Sequence, residues 1–272
     1  LTDNNITLIC LDNNYGIAYA QNVGIELAIH LSCSHVLLMD QDSLPSPDMV
    51  EHLLRVLLKV GDSAAAAGPS YEDRRNNRKS FFVIEKSGLP SRWYPNSTQL
   101  PDHIEANFLI ASGSLISTSA LLRIRGKRSN YFIDHVDTEW SFRARAKGYV
   151  LLGVPQAVMQ HTLGDEVREV WFFGRRQVSY HSPLRDYYMF RNTLLLLGDV
   201  PMKLVWRLHF LYRLCQFAVY FLIFSTHRCA RLKMMLLGLY HGIKRQSGKL
   251  DTADFHCLPI PSLKIEPESQ QS

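Results

Sequence analysis

The chain has 272 residues, 46% of them hydrophobic and 20% charged, which excludes an intrinsically disordered protein and leaves room for one full domain plus an appendage. A net charge of +5, with an isoelectric point near 8.9, favours anionic substrates or anionic lipid headgroups as partners. Basic residues cluster at 74–79, 123–128 and 228–249 without the interleaved aromatics of a stacking platform; the first two clusters read as solvated loops, and nucleic acid is set aside as a partner.

Residues 8–11, Leu-Ile-Cys-Leu, read as a buried strand. Asn13, Asn14, Tyr15 and Gly16 then turn into a helix on which Ala20, Val23, Leu27 and Ala28 recur at helical spacing. The apolar run 35–39 predicts a second strand, and it ends in Asp40-Gln41-Asp42. Side chains two apart on an extended strand point to one side, so Asp40 and Asp42 can converge on one cation. A hard ion held by one or two carboxylates, Mg2+ or Mn2+, completes its shell with water and substrate phosphates, which suggests a nucleotide diphosphate. The alternative is a plain strand-end turn, since Asp and Ser favour turns and Pro45 and Pro47 follow.

Ser46, Pro47 and Asp48 open a helix that Gly61 closes, and residues 64–67 form a short strand. A polar loop over 72–79 leads to a hairpin or loop region through 81–84 and 93–95. Residues 108–111 read as a strand running into Ser112, Gly113 and Ser114; residues 136–147 form a helix, and 150–154 and 157–159 late strands. Strands alternating with helices imply an α/β layer architecture. The five cysteines, odd in number and without a Cys-x-x-Cys pair, argue for a reducing compartment and against a zinc site, with Cys10 and Cys33 as small hydrophobes in apolar surroundings.

After Pro183 the chain becomes apolar, aromatic and helical, over 194–197 and 204–239, and it carries Arg207, Arg213, Arg228, Arg231 and Lys233. Its uncharged stretch, 214–226, is shorter than the roughly 17–25 residues that span a bilayer. It reads as an interfacial helix pair with Trp206, Tyr212 and Tyr220 at the membrane boundary. A helical bundle covering the α/β domain or forming an oligomer interface gives the same periodicity.

Four motifs occur in one order: Asn14-x-Gly16-x-Ala18-x-Ala20-x-Asn22-x-Gly24, Asp40-Gln41-Asp42, Gly113-Ser114 and Asp137-x-Glu139-x-x-x-Arg143. In that order they resemble glycosyltransferase family 2, inverting nucleotide-sugar transferases with the Rossmann-like GT-A fold. Asp-Gln-Asp-Ser at 40–43, Asp137-Thr138-Glu139-Trp140 and the 185–192 string Arg-Asp-Tyr-Tyr-Met-Phe-Arg-Asn resemble the bacterial rhamnosyltransferases of that family. The resemblance implies transfer of L-rhamnose from dTDP-L-rhamnose to a lipid-linked saccharide or polysaccharide during cell-surface polysaccharide or lipopolysaccharide assembly. It implies a protein peripheral to the cytoplasmic face of the inner membrane. A GT-A-like domain is expected over residues 1–182, a helical membrane-associated region over 183–250 and a polar tail over 251–272. Family members begin with two further strands that hold the nucleobase and ribose, so the domain is expected to be incomplete at its N-terminus. A non-catalytic membrane-associated scaffold or an inactive fragment of such an enzyme is the alternative.

Asp137, at the start of the 136–147 helix, is the candidate general base, with the spacing to Arg143 matching the family's base; a helix-capping role for Asp134 or Asp137 is the competing reading. The resemblance adds His161 to Asp40 and Asp42 as a metal contact, and Asn14, Gly16, Asn22 and Arg191, with the two aspartates, as the donor-binding set. Acceptor contacts are expected from Gly113 and Ser114 through close backbone approach, from Glu139 through sugar hydroxyls, and from Trp140 by stacking, although Trp140 suits a core position equally well. Arg143 reads as an ion-pair partner of these acids, and for Arg191 a helix-face salt bridge is the alternative.

Overall fold

A computed structural model describes residues 6–73, 78–96, 98–161, 167–171, 175–179, 182–225 and 227–251; for 73, 78, 79, 161 and the two segments between 167 and 179 it describes the backbone alone. The chain enters through an extended segment in which Ile6, Leu8, Ile9 and Leu11 are exposed. The strand expected at 8–11 is therefore absent, and Cys10 and Cys33 are exposed rather than packed. Apolar residue type alone produced that expectation, and among the described residues no strand pairs with the segment.

Helix α1 (Ile17–His30) starts at Gly16, whose φ of 87° favours glycine and where a Cβ would lie 2.5 Å from the Phe132 carbonyl oxygen. Strand β1 (His35–Leu37) is shorter than the apolar run that predicts it, and β2 (Ser43–Pro45) follows after a turn. Amphipathic α2 (Met49–Val60) buries Met49, Leu53, Val56 and Leu57, each worth about 1.5–3 kcal/mol on burial. It ends at Gly61, as the sequence predicts. Next come β3 (Ala64–Asp73), β4 (Arg78–Lys79), the hairpin β5 (Phe82–Lys86) and β6 (Leu89–Trp93), β7 (Ile104–Ala106) and β8 (Leu115–Ser117). The strand expected over 108–111 is a loop joined to the hairpin by one bridge between Val83 and Phe108. Short α3 (Thr118–Ile124) and α4 (Val136–Ala146) precede β9 (Val150–His161), one strand where the sequence suggests two. The paired strands β10 (Val167–Trp171) and β11 (Arg175–Ser179) lead to α5 (Pro183–Asp199), α6 (Leu204–Phe224) and α7 (Arg228–Ile243).

The main sheet runs β1-β8-β3-β9-β2; β3 and β9 are parallel and the other pairings are antiparallel. Beyond β3, β9 pairs with β7 near its start and with β2 near its end. Four consecutive buried alanines, Ala64 to Ala67, line the middle of the sheet, where small side chains let both layers approach. Ile25 of α1, Leu121 of α3 and Trp140 of α4 form one apolar cluster with Ala65 and Ala66, while α2 forms another with Ala64 and Ala67. This is the α/β layering that the sequence predicts. Among the described residues no strand pairs with the other edge of β1.

Helix α5 packs along α7, while Leu195, Leu196, Trp206 and Phe210 close over Phe142 of α4 and Ala18 of α1. The ring centroids of Trp206 and Phe142 are 5.2 Å apart, and Trp206 Nε1 donates to Glu85 at 3.0 Å. Trp206 and Tyr220 are thus interior residues, which corrects their expected place at a membrane boundary; Tyr212 alone of the three is exposed. Arg231 is also interior, 2.6 Å from Asp186. No helix among the described residues is long and apolar enough to cross a membrane.

Candidate active site

Asp40 and Asp42 lie on a turn, not on an extended strand. Ser43 N donates to Asp40 O at 3.2 Å, so the chain reverses between β1 and β2, and the period-two argument that placed both carboxylates on one face does not apply. The turn is held from behind by the loop before β8. Ser112 Oγ accepts from Asp40 N at 3.1 Å and lies 2.7 Å from Ser43 Oγ, and Leu38 exchanges backbone hydrogen bonds with Gly113 and Ser114. Gly113 has φ 78°, and a Cβ there would meet Pro69 at 2.6 Å, so glycine answers a packing demand at this point. Ser114 Oγ donates to Ile110 O at 2.5 Å. Gly113 and Ser114 are buried braces of the aspartate turn, and Ser114 also lines a cavity beside the β5–β6 hairpin.

One residue before Ser112, the Ala111 amide donates to Asp137 Oδ2 at 3.0 Å. The other carboxylate oxygen, Oδ1, lies 3.1 Å from Lys127 Nζ. Lys127 is buried and stands 4.8 Å from the Trp140 ring centroid, so the basic run 123–128 is not simply a solvated loop. Asp137 sits in the first turn of α4, but His135 is the N-cap position and the Asp137 side chain reaches away from the helix end. Its side chain remains 29% exposed, enough for a substrate hydroxyl to reach it.

Glu139 is fully buried. Arg143 grips it with two bonds of 2.8 and 2.9 Å, and Arg128 adds a third contact at 3.0 Å. Arg143 is the ion-pair partner that the sequence suggests, but Glu139 is not an acceptor contact, because both oxygens are spent on guanidinium groups. Trp140 is 2% exposed and donates Nε1 to Arg125 O at 3.0 Å, so it is core and stacks on no ligand. Arg191 is likewise buried, donating to Tyr131 O, Gly248 O and Asn192 Oδ1, which removes it from the donor diphosphate. Asn22 exchanges hydrogen bonds with the Lys127 backbone at 2.7 and 2.8 Å, so it positions the loop carrying Lys127. Asn14 Oδ1 accepts from Gly16 N at 3.0 Å in an exposed turn that leads into α1.

The side chain of His161 lies outside the described residues. Its backbone is placed: the β2–β9 register sets His161 opposite Ser43, one residue from Asp42. Among the described residues no group of three or more His, Cys, Asp and Glu side chains forms a metal cluster. The oxygen donors of Asp40 and Asp42, beside a strand end bearing an imidazole, are the ligand types that Mg2+ or Mn2+ accepts.

The sequence assigns no individual role to Arg185 or Asn192, although both lie in the 185–192 string. Asn192 donates Nδ2 to the carbonyls of Tyr131, Ile133 and Asp134 at 2.9, 2.5 and 3.1 Å, and Arg185 bonds Asp134 at 3.2 Å. Together they fix the loop that enters α4, where Asp134 and His135 have φ near 60°. Burial lowers the pKa of His135, whose Nε2 lies 2.9 Å from Thr193 Oγ1. The 185–192 string therefore works at a distance, by setting the start of the helix that bears Asp137.

No protein-family model matches the chain. The dTDP-rhamnosyl transferase RfbF of Shigella flexneri is 31% identical over 202 residues, covering 73% of this chain and 66% of that protein, so the chain spans just under two thirds of the relative's length. Among solved structures, S. aureus TarS 1-349 in complex with UDP-GlcNAc is similar with a TM-score of 0.49 at 13% identity, over 87% of this chain and 64% of that one. GalNAc-T7 with UDP, GalNAc and Mn2+ gives a TM-score of 0.45 at 13% identity, over 57% and 33%.

Proposed function

We propose that the chain is a bacterial rhamnosyltransferase of the glycosyltransferase family 2 type that transfers L-rhamnose from dTDP-L-rhamnose, with inversion, to a lipid-linked saccharide of a surface polysaccharide, a reading supported by its similarity to a dTDP-rhamnosyl transferase. One observation carries the reading: Ala111 and Ser112, adjacent in one buried loop, hold Asp137 and the Asp40 backbone respectively. A base and a diphosphate-binding turn need a fixed separation, and a single short loop supplies it.

Asp137 accepts the proton of the acceptor hydroxyl. The freed oxygen lone pair forms the bond to the anomeric carbon from the face opposite the diphosphate, the bond to the departing oxygen breaks, and dTDP leaves with that electron pair. Lys127 and the Ala111 amide hold the carboxylate in one orientation while its exposed edge meets the acceptor. Asp40 and Asp42, with His161, would hold Mg2+ or Mn2+, which when bound neutralises the charge growing on the leaving diphosphate.

Peripheral attachment to the inner membrane is supported by an outward stripe on α6, where Leu204, Leu208, Leu211, Tyr212, Val219 and Ile223 are exposed, and by Leu232, Leu236 and Tyr240 on α7. Exposed Arg228 and Lys244 lie at the ends of α7 and suit anionic headgroups.

The test is Asp137→Asn in the full-length protein. Donor binding should persist while transfer falls by about 10²–10⁴, the usual contribution of a general base. Turnover near that of the wild type would remove Asp137 from the chemistry.

A further inference from the structure

A cavity of about 350 Å³ lies between the β5–β6 hairpin, β3, the loop before β8 and α6. Its lining is aromatic and basic: Phe81, Phe108, Arg92, His209 and Arg213 face it, and no described lining residue is acidic. The Arg92 guanidinium stands 4.4 Å from the Phe81 ring centroid, and that of Arg213 stands 4.8 Å from the Phe217 ring centroid. Arg92, His209 and Arg213 share this one space; burial first, then Arg213 and Arg92, lower the His209 pKa, so the positive charge is that of the two guanidinium groups. Concentrated positive charge beside aromatic surface complements a phosphate attached to a sugar or hydrocarbon.

Two connections give the cavity a direction. On one side Leu109 and Ile110 line it, and the next residue, Ala111, holds Asp137. On the other, His209 and Arg213 belong to α6, whose Leu208, Leu211 and Tyr212 are exposed. The cavity thus lies between the candidate base and the apolar stripe.

We infer that this cavity binds the phosphate group of a lipid-linked acceptor, with Arg92 and Arg213 contacting the phosphate and Phe81 and Phe108 packing on the adjoining carbon framework. The assignment rests on the glycosyltransferase reading and replaces Glu139 and Trp140 as acceptor contacts. It separates the acceptor's charge from the donor's diphosphate, which the reading places at Asp40 and Asp42.

The probe is farnesyl diphosphate, titrated against the full-length protein alongside farnesol and dTDP, in the wild type, in Arg92→Gln and in the Arg92→Gln/Arg213→Gln double variant. The wild type should bind farnesyl diphosphate more tightly than farnesol. The double variant should lose that affinity by about tenfold or more, as expected for charge-assisted contacts, with dTDP affinity unchanged. Arg92 is exposed, so the single variant keeps the fold and should show a smaller loss in the same direction. Equal farnesyl diphosphate affinity in all three proteins would overturn the inference, as would a parallel loss of dTDP binding, which would give the cavity to the donor. Failure of the glycosyltransferase reading would show separately, as absence of rhamnose transfer by the wild type whatever the farnesyl diphosphate titration gives.

Discussion

Lys127 decides how Asp137 is presented. Its ammonium is buried between the carboxylate and the Trp140 ring, so Lys127→Met would leave only the Ala111 amide to orient the base. Because small misplacements of a reacting group cost up to about 10² in rate, kcat should fall by one to two orders of magnitude with the KM for donor unchanged; an unchanged kcat would show that the ion pair does not orient the base. Asp186 makes a different, structural demand. Burial raises its carboxyl to about pKa 6 against the opposing pull of Arg231. The folded value lies above the ordinary 3.8, so this group's contribution to stability is fully present below pH 3.8 and is lost as pH rises through about 6. Asp186→Asn removes that dependence, and urea unfolding of the two proteins across that interval should show the wild type losing ground to the variant as pH rises. A constant difference would contradict the burial-dominated shift. Such roles were only partly legible. Asp137 and Arg143 stand out by spacing, but Lys127 sits in a run of basic residues typical of surface loops. Glu139 looks like a ligand until Arg128, from the loop between α3 and α4, is seen to close on it.

Helix α2 was readable because its apolar residues repeat on one face and Gly61 ends it. The loop over 108–111 was not, because Phe-Leu-Ile-Ala has strand composition whether or not a ladder partner exists; here only Phe108 bridges Val83. The same ambiguity made residues 8–11 look like a strand. Helix α5 carries the clearest long-range consequence. Asn192 Nδ2 shares its two protons among three carbonyls of the loop entering α4; Tyr131 O keeps Arg191 and the Ile133 amide as donors, so Asn192→Ala would deprive chiefly the part-buried Ile133 and Asp134 carbonyls, each worth about 1–3 kcal/mol. Thermal unfolding should therefore occur earlier, and activity should fall because the start of α4 loosens around Asp137. Wild-type stability and turnover in this variant would show that α5 does not govern the loop.

The pairing of α5 with α7 and the closing of α6 over Phe142 favour the bundle reading for the packed face of the C-terminal helices. The exposed stripe leaves the outward face available to a membrane, and hydrophobic periodicity alone had no means of separating the two faces. Sedimentation with anionic vesicles should therefore be strong in the wild type and weak in Leu208→Asp/Leu211→Asp, both exposed positions that the core does not need. High salt should weaken binding only in part, since apolar burial is not screened. Equal sedimentation of both proteins would assign the stripe no membrane role.

What joins these levels is one claim: the aspartate turn and Asp137, tied by a shared loop, carry out a single displacement at an anomeric carbon. The stereochemistry of the transferred sugar tests it most directly. When the full-length protein is supplied with dTDP-L-rhamnose and membranes carrying acceptor, NMR of the product should show rhamnose with its anomeric configuration inverted relative to the donor, and Asp137→Asn should form it about 10²–10⁴ times more slowly. Retention of configuration, or product formed at the wild-type rate by the variant, would contradict the account.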